Sequence, residues 1–181
     1  KNKFFTILVF GGSQGAKAIN TAFLEAIGYL SDIKDHIKII HQTGDTDYMA
    51  AKELYEKKGV KADIFKFIDD MGQIYSLADL VICRAGATSI AEITALGLPS
   101  ILIPYPSAAN NHQEINAKYL SDKGAAILIK QEQLTGNVLA NVIRRFYKNP
   151  NELKVMQEKA KTLGKPEAAK EIVNTICIMV A

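Results

Sequence analysis

Cysteine is scarce in this 181-residue chain: Cys83 and Cys177 stand far apart, outside any C-x-x-C pattern. They read as small buried hydrophobes of a reducing compartment, not as a disulfide framework or a zinc site. Histidine is equally thin, with His36, His41 and His112 scattered and none at ligand spacing. H-E-x-x-H, G-x-S-x-G and EF-hand patterns are missing, which removes metalloprotease, serine hydrolase and calcium-sensor readings. No metal or other cofactor is expected. No apolar run approaches the ~18 residues of a membrane span. An excess of one charge is lacking too, since 22 basic and 19 acidic residues leave +3. No basic run is interleaved with aromatics, so nucleic acid is not an expected partner. The opening Lys1-Asn2-Lys3-Phe4 carries neither an initiator Met nor a signal-peptide core and is expected to lie inside a longer protein.

What is present is a globular composition, 48% hydrophobic and 23% charged, sized for one domain over 1–181 with a substantial core. The most informative stretch is Ile7-Leu8-Val9-Phe10-Gly11-Gly12-Ser13-Gln14-Gly15-Ala16. An unbroken apolar run predicts a strand buried on both faces. Ala16, Ile19, Phe23, Ala26, Ile27 and Leu30 then recur at helical spacing. A strand, a glycine turn and a helix follow one another. Such a turn leaves the first helix N–H groups unpaired, where the macrodipole favours an anion and glycine lets a phosphate approach the main chain. The competing reading is a tight βα connection without a ligand. The dinucleotide fingerprint is excluded because Ser13 and Ala16 stand where glycines are needed, and a P-loop because Gly15-Ala16-Lys17 replaces Gly-Lys-Ser/Thr.

The unit repeats at Leu80-Val81-Ile82-Cys83, followed by Arg84-Ala85-Gly86-Ala87-Thr88-Ser89 and a helix carrying Ile90, Ile93 and Leu96. Between the two lie an apolar run at Ile37–His41 closed by Gln42-Thr43-Gly44-Asp45, a helix capped by Asp45 or Thr46, and a short strand at Ala62–Phe65. Paired acids in Phe67-Ile68-Asp69-Asp70-Met71 suit the start of a brief helix. Downstream, Ser100–Ile103 and Ala125–Ile129 read as strands, and Pro104–Asn111 as a loop delivering His112-Gln113-Glu114 to a helix. Gln131 to Phe146, Glu152 to Leu163 and a segment after Pro166 complete the helices. Alternation throughout predicts an α/β, doubly wound, Rossmann-like parallel sheet of about six strands with helices on both faces. In such sheets the carboxyl ends of the strands line the ligand crevice. Both glycine turns, His41-Gln42-Thr43-Gly44, Ile68 with its acids, Arg84 and the Pro104–Gln113 loop fall on that edge, which suits a diphosphate carrying a sugar or nucleoside.

Four of these stretches together resemble one family: Gly11–Ala16, Phe67–Met71, the run from Cys83 to Pro99, and Asn111-His112-Gln113-Glu114-Ile115-Asn116-Ala117. They are similar to the carboxy-terminal, donor-binding half of the MurG family, the bacterial peptidoglycan N-acetylglucosaminyltransferases of glycosyltransferase family 28 and the two-domain GT-B fold. The resemblance implies transfer of N-acetylglucosamine from UDP-N-acetylglucosamine to lipid I, giving lipid II with inversion at the anomeric carbon. It implies that Ser13 and Gln14, between Gly12 and Gly15, meet the diphosphate and sugar, and that Ile68 offers backbone groups to uracil beside Met71. Ala87, Thr88 and Ser89 would present N–H groups and a hydroxyl to the phosphates, Glu92 would take the ribose hydroxyls, and Gln113 the sugar hydroxyls. Arg84 either serves the diphosphate or supports the turn, and Glu114 stands where some members have a second glutamine. No catalytic residue and no metal ligand is assigned to this half. The acceptor site, the general base and the peripheral contact with the cytoplasmic face of the cell membrane would lie on the amino-terminal half. The last helix, 167–181, is expected to pack on that half and to be poorly held without it. The alternatives are an enzyme like the UDP-N-acetylglucosamine 2-epimerases, and a non-catalytic donor-binding subunit of a split glycosyltransferase.

Overall fold

The computed structural model describes residues 4–12 and 15–179, so the calls on Ser13 and Gln14 lie outside the described residues. Strand β1 (Phe5–Phe10) sends Ile7 and Val9 into one hydrophobic cluster and Leu8 and Phe10 into another. This is the two-residue strand period with both faces covered, and it explains why the strand shows no polar alternation. Helix α1 (Lys17–Tyr29) closes the first face with Ile19, Phe23, Ala26 and Ile27. Burying Ile7, Ile19 and Phe23 contributes about 1.5–3 kcal/mol apiece.

From β1 the chain runs outward through β2 (Ile37–Gln42), α2 (Tyr48–Lys58) and β3 (Ala62–Phe65), then returns through α3 (Met71–Tyr75) to β4 (Leu80–Cys83) on the other side of β1. Helix α4 (Ala87–Leu96), β5 (Ser100–Leu102), α5 (His112–Asp122) and β6 (Ile127–Leu128) extend that side. The six strands lie in the order β3-β2-β1-β4-β5-β6, with every neighbouring pair parallel. The expected architecture is therefore the observed one. Its switch point falls between β1 and β4, the strands that lead into the two small-residue turns. Helices α6 (Gly136–Lys148) and α7 (Pro150–Leu163) pack against α1 and α4, and α8 (Ala168–Met179) ends the described chain.

Several boundaries differ from the sequence reading. The Ala125–Ile129 run pairs only at Ile127–Leu128, because the Ala125 N–H is spent on Leu120 O at the end of α5. The helix expected from Gln131 begins at Gly136, where Thr135 Oγ1 accepts the Val138 N–H at 3.2 Å. Helix α2 has Asp47 before its first residue, not Asp45 or Thr46, and the Asp47 carboxylate accepts from Asn20 Nδ2 at 2.7 Å instead of capping. Cys83 is buried as expected, whereas Cys177 is exposed. It sits on α8, where no described residue is buried and Ile172, Val173 and Ile176 are 60%, 57% and 54% exposed.

Candidate functional site

Two helices point their amino ends at one hollow. Helix α1 makes its first internal bond from Asn20 N to Ala16 O at 2.9 Å, and α4 from Ile90 N to Gly86 O at 3.0 Å. The N–H groups of Lys17, Ala18 and Ile19, and of Ala87, Thr88 and Ser89, therefore have no partner within their own helices. Among the described residues neither helix start carries a side-chain cap. Between them lies a cavity of about 610 Å³, lined by Gly11, Gly12, Gly15, Lys17, Ala18, Arg84, Gly86, Ser89, Tyr105, Gln113 and Gln131. That size suits a nucleotide-scale ligand. A second hollow, about 410 Å³ between α2 and β3, is lined by Tyr48, Lys52, Val60 and Phe65, and no glycine turn opens on it.

The first turn is shaped by backbone. Gly15 has φ 77°, and a Cβ there would stand 2.2 Å from Thr43 O, so only glycine lets the turn close onto the end of β2. Gln42, buried at that same end, reaches both ways. Its Nε2 donates to Gly12 O at 2.7 Å, and its Oε1 accepts the Ile68 N–H at 2.9 Å. Ile68 thus spends its N–H internally, and its carbonyl is the backbone group left to address a base. Beneath lies a buried polar cluster: His41 Nδ1 meets Tyr55 Oη at 2.8 Å, His41 Nε2 meets Asn20 Oδ1 at 3.1 Å, and Asn20 Nδ2 donates to Thr43 O at 2.8 Å. Burial lowers the His41 pKa to about 3, so the ring is neutral.

The second turn is shaped by side chains. Arg84 Nη1 donates to Ile103 O and Pro104 O at 3.2 and 3.1 Å, and Nη2 to Gln131 Oε1 at 2.7 Å. Its guanidinium also lies 5.3 Å from the centre of the Tyr105 ring. Arg84 thus ties its own turn to the loop after β5 and to Gln131, and it still faces the cavity. Asn116 Nδ2 donates to Ala85 O at 3.2 Å, tying α5 to the turn. Gln113 Oε1 accepts the Tyr105 N–H at 3.0 Å, which orients its amide on the cavity wall.

Of the expected binding residues, Gly12, Gly15, Arg84, Ser89 and Gln113 share the cavity, with Ala87 and Thr88 on the adjoining helix start. Ile68, Met71 and Glu92 do not line it. They form an adjoining group, since Glu92 follows Ser89 by one turn of α4 and accepts a bond at 2.9 Å from Tyr75 Oη on α3, the helix that Met71 begins. Glu114 is held away, paired with Lys130 Nζ at 2.6 Å. Against the expectation that the chain has no Asp-x-Asp motif to bind a metal, Asp45-Thr46-Asp47 supplies one. Here Asp45 pairs with Lys66 at 2.9 Å while Asp47 accepts from Asn20, so the two carboxylates serve different partners. Lys17, Tyr75 and Gln131 carry no role in the sequence-based expectation, whereas Gln42 and Tyr105 fall on the expected ligand edge without an assigned contact. Lys17 had a legible signal, because a cation in the first turn of a helix opposes the macrodipole unless an anion visits.

Residues 6–172 match the glycosyltransferase family 28 C-terminal domain. The chain is 47% identical over 174 residues to the UDP-N-acetylglucosamine--N-acetylmuramyl-(pentapeptide) pyrophosphoryl-undecaprenol N-acetylglucosamine transferase of Myxococcus xanthus, covering 96% of this chain and 45% of that protein. The crystal structure of MurG from Acinetobacter baumannii superposes with a TM-score of 0.86 at 36% identity, over 96% of this chain and 52% of that one. A UDP-GlcNAc 2-epimerase from Neisseria meningitidis gives a TM-score of 0.67 at 12% identity, over 98% of this chain and 45% of that one, a likeness of fold alone. The chain spans about half the length of the curated relatives it matches.

Proposed function

This chain belongs to the glycosyltransferase family 28 C-terminal domain family, and from that premise we propose that it is the donor-binding half of an inverting N-acetylglucosaminyltransferase acting on lipid I. The observation that carries the reading is the pair of open helix starts on one cavity. A UDP-sugar diphosphate between them would meet N–H groups from both α1 and α4, with the Lys17 ammonium and the Arg84 guanidinium on the same walls. Gly12 and Gly15 keep the first turn low enough for a phosphate to approach, and Ser13 and Gln14 fall within that turn. Ser89 adds a hydroxyl, Gln113 the sugar contact, Glu92 the ribose contact, and Ile68 with Met71 the uracil contact. Glu114, committed to Lys130, contributes to the loop and not to the sugar.

In the transfer, an acceptor hydroxyl oxygen attacks the anomeric carbon, the bond from that carbon to the β-phosphate oxygen breaks, and UDP departs with the electron pair. Negative charge grows on the β-phosphate as the bond opens. Two oriented helix termini meet that charge without rearranging, which is where fixed dipoles accelerate a reaction most. The acceptor, the base that takes its proton, and peripheral contact with the cytoplasmic face of the membrane are assigned to the part of the relatives that this chain does not span. No helix among the described residues is long and apolar enough to cross a membrane.

Calorimetric titration of this chain with UDP, UDP-N-acetylglucosamine, UDP-glucose and ADP tests the proposal. The uridine nucleotides should bind, the N-acetylglucosamine form more tightly than the glucose form, with no transfer to lipid I by this chain alone. Preference for ADP, or turnover by the isolated chain, would overturn it.

A further inference from the structure

We propose that Tyr75 is a positioning residue for ribose recognition, holding one oxygen of the Glu92 carboxylate so that the other is presented to the nucleoside hydroxyls; this rests on Glu92 being the ribose contact. Tyr75 is 2% exposed and its ring meets Phe10 edge-on at 6.1 Å between centres, so the side chain is anchored in the core beneath β1 and β4. Its hydroxyl emerges from that anchor and donates to Glu92 Oε2 at 2.9 Å, across 17 residues of chain. Glu92 is otherwise a carboxylate on the exposed side of a helix, free to sample several rotamers. One bond from a buried, rigid partner removes much of that freedom before ligand arrives. Burial and the neighbouring carboxylate push the Tyr75 hydroxyl well above its ordinary range, so it remains a donor at any working pH. The same short helix begins at Met71, just after Ile68. Base and ribose contacts are thereby set from one element.

The test compares affinities for UDP and 2′-deoxy-UDP in the wild type, Tyr75→Phe, Glu92→Asp and Glu92→Gln. Tyr75→Phe keeps the ring packed on Phe10 and should cut the preference for UDP about fivefold, the scale of one hydrogen bond, while leaving 2′-deoxy-UDP binding unchanged. Glu92→Asp keeps the charge but draws the carboxylate back from the hydroxyl, and should lose the preference likewise. A fold defect would weaken both nucleotides alike and leave the ratio intact. Full preference retained in Tyr75→Phe and Glu92→Asp, with loss in Glu92→Gln, overturns the positioning role alone. Full preference retained in Glu92→Gln overturns the ribose contact and the positioning role with it.

Discussion

The two turns that face the cavity end in the same feature, an uncapped helix start, and reach it by different means. The β1–α1 turn is closed by main chain, a left-handed glycine pressed onto Thr43 O, and braced from β2 by the Gln42 side chain on the Gly12 carbonyl and a neutral His41 network underneath. The β4–α4 turn has no residue in the left-handed region and is tied to its surroundings by side chains, its own Arg84 on the loop after β5 and Asn116 of α5 on Ala85 O. Two different kinds of support thus leave a helix start open and keep it still. The backbone contact at Gly15 forbids any Cβ, whereas the side-chain supports tolerate Cβ atoms and can be removed in steps.

Breaking the backbone support should have the largest effect. Gly15→Ala places a Cβ against a carbonyl oxygen at a positive φ and should cost about 3 kcal/mol in urea denaturation, with uridine nucleotide binding lost; an unchanged midpoint would refute the close approach. Arg84→Ala removes two bonds to the β5–α5 loop and one to Gln131 and should cost about 2–3 kcal/mol, with UDP bound roughly tenfold more weakly. Normal UDP affinity in that variant would mean that the second turn stands without it.

Acid separates the two turns further. His41 has a folded pKa of about 3 against an ordinary 6.5, so the unfolded chain takes up the proton first as pH falls. The stability it contributes is full above 6.5 and drains away as pH drops toward 3, amounting to about 2 kcal/mol between pH 7 and pH 5. Denaturation at both values measures the loss, and a His41 ring titrating near its ordinary value in the folded protein would contradict it. The second turn contains no such group, so Asn116→Ala should cost only about 1 kcal/mol and by an amount that does not change between those pH values.

Much of the fold was legible because β1 and β4 are continuous apolar runs, each followed by small residues and a helical period. Such runs belong to strands covered on both sides, and their alternation with helices leaves few topologies. Boundaries blurred where one backbone group had two claimants, as when Ala125 N–H chose the end of α5 over the sheet. Site residues supplied by backbone at a turn, such as Gly15 and Ala87, were readable from local pattern. Tyr75 was not, since a tyrosine in a short helix looks like an ordinary core residue, and Gln42 was legible by place on the ligand edge but not by the two bonds it makes.

The amino-acid order alone therefore determined that two strand-to-helix turns would leave helix amides open, because hydrophobic period and glycine placement are local properties. Only the tertiary structure decided that both turns share one cavity, that Glu114 belongs to Lys130, and that Glu92 is held by Tyr75. Those outcomes depend on which distant groups are brought within hydrogen-bond reach, and that is settled by packing across the sheet and not by neighbours along the chain.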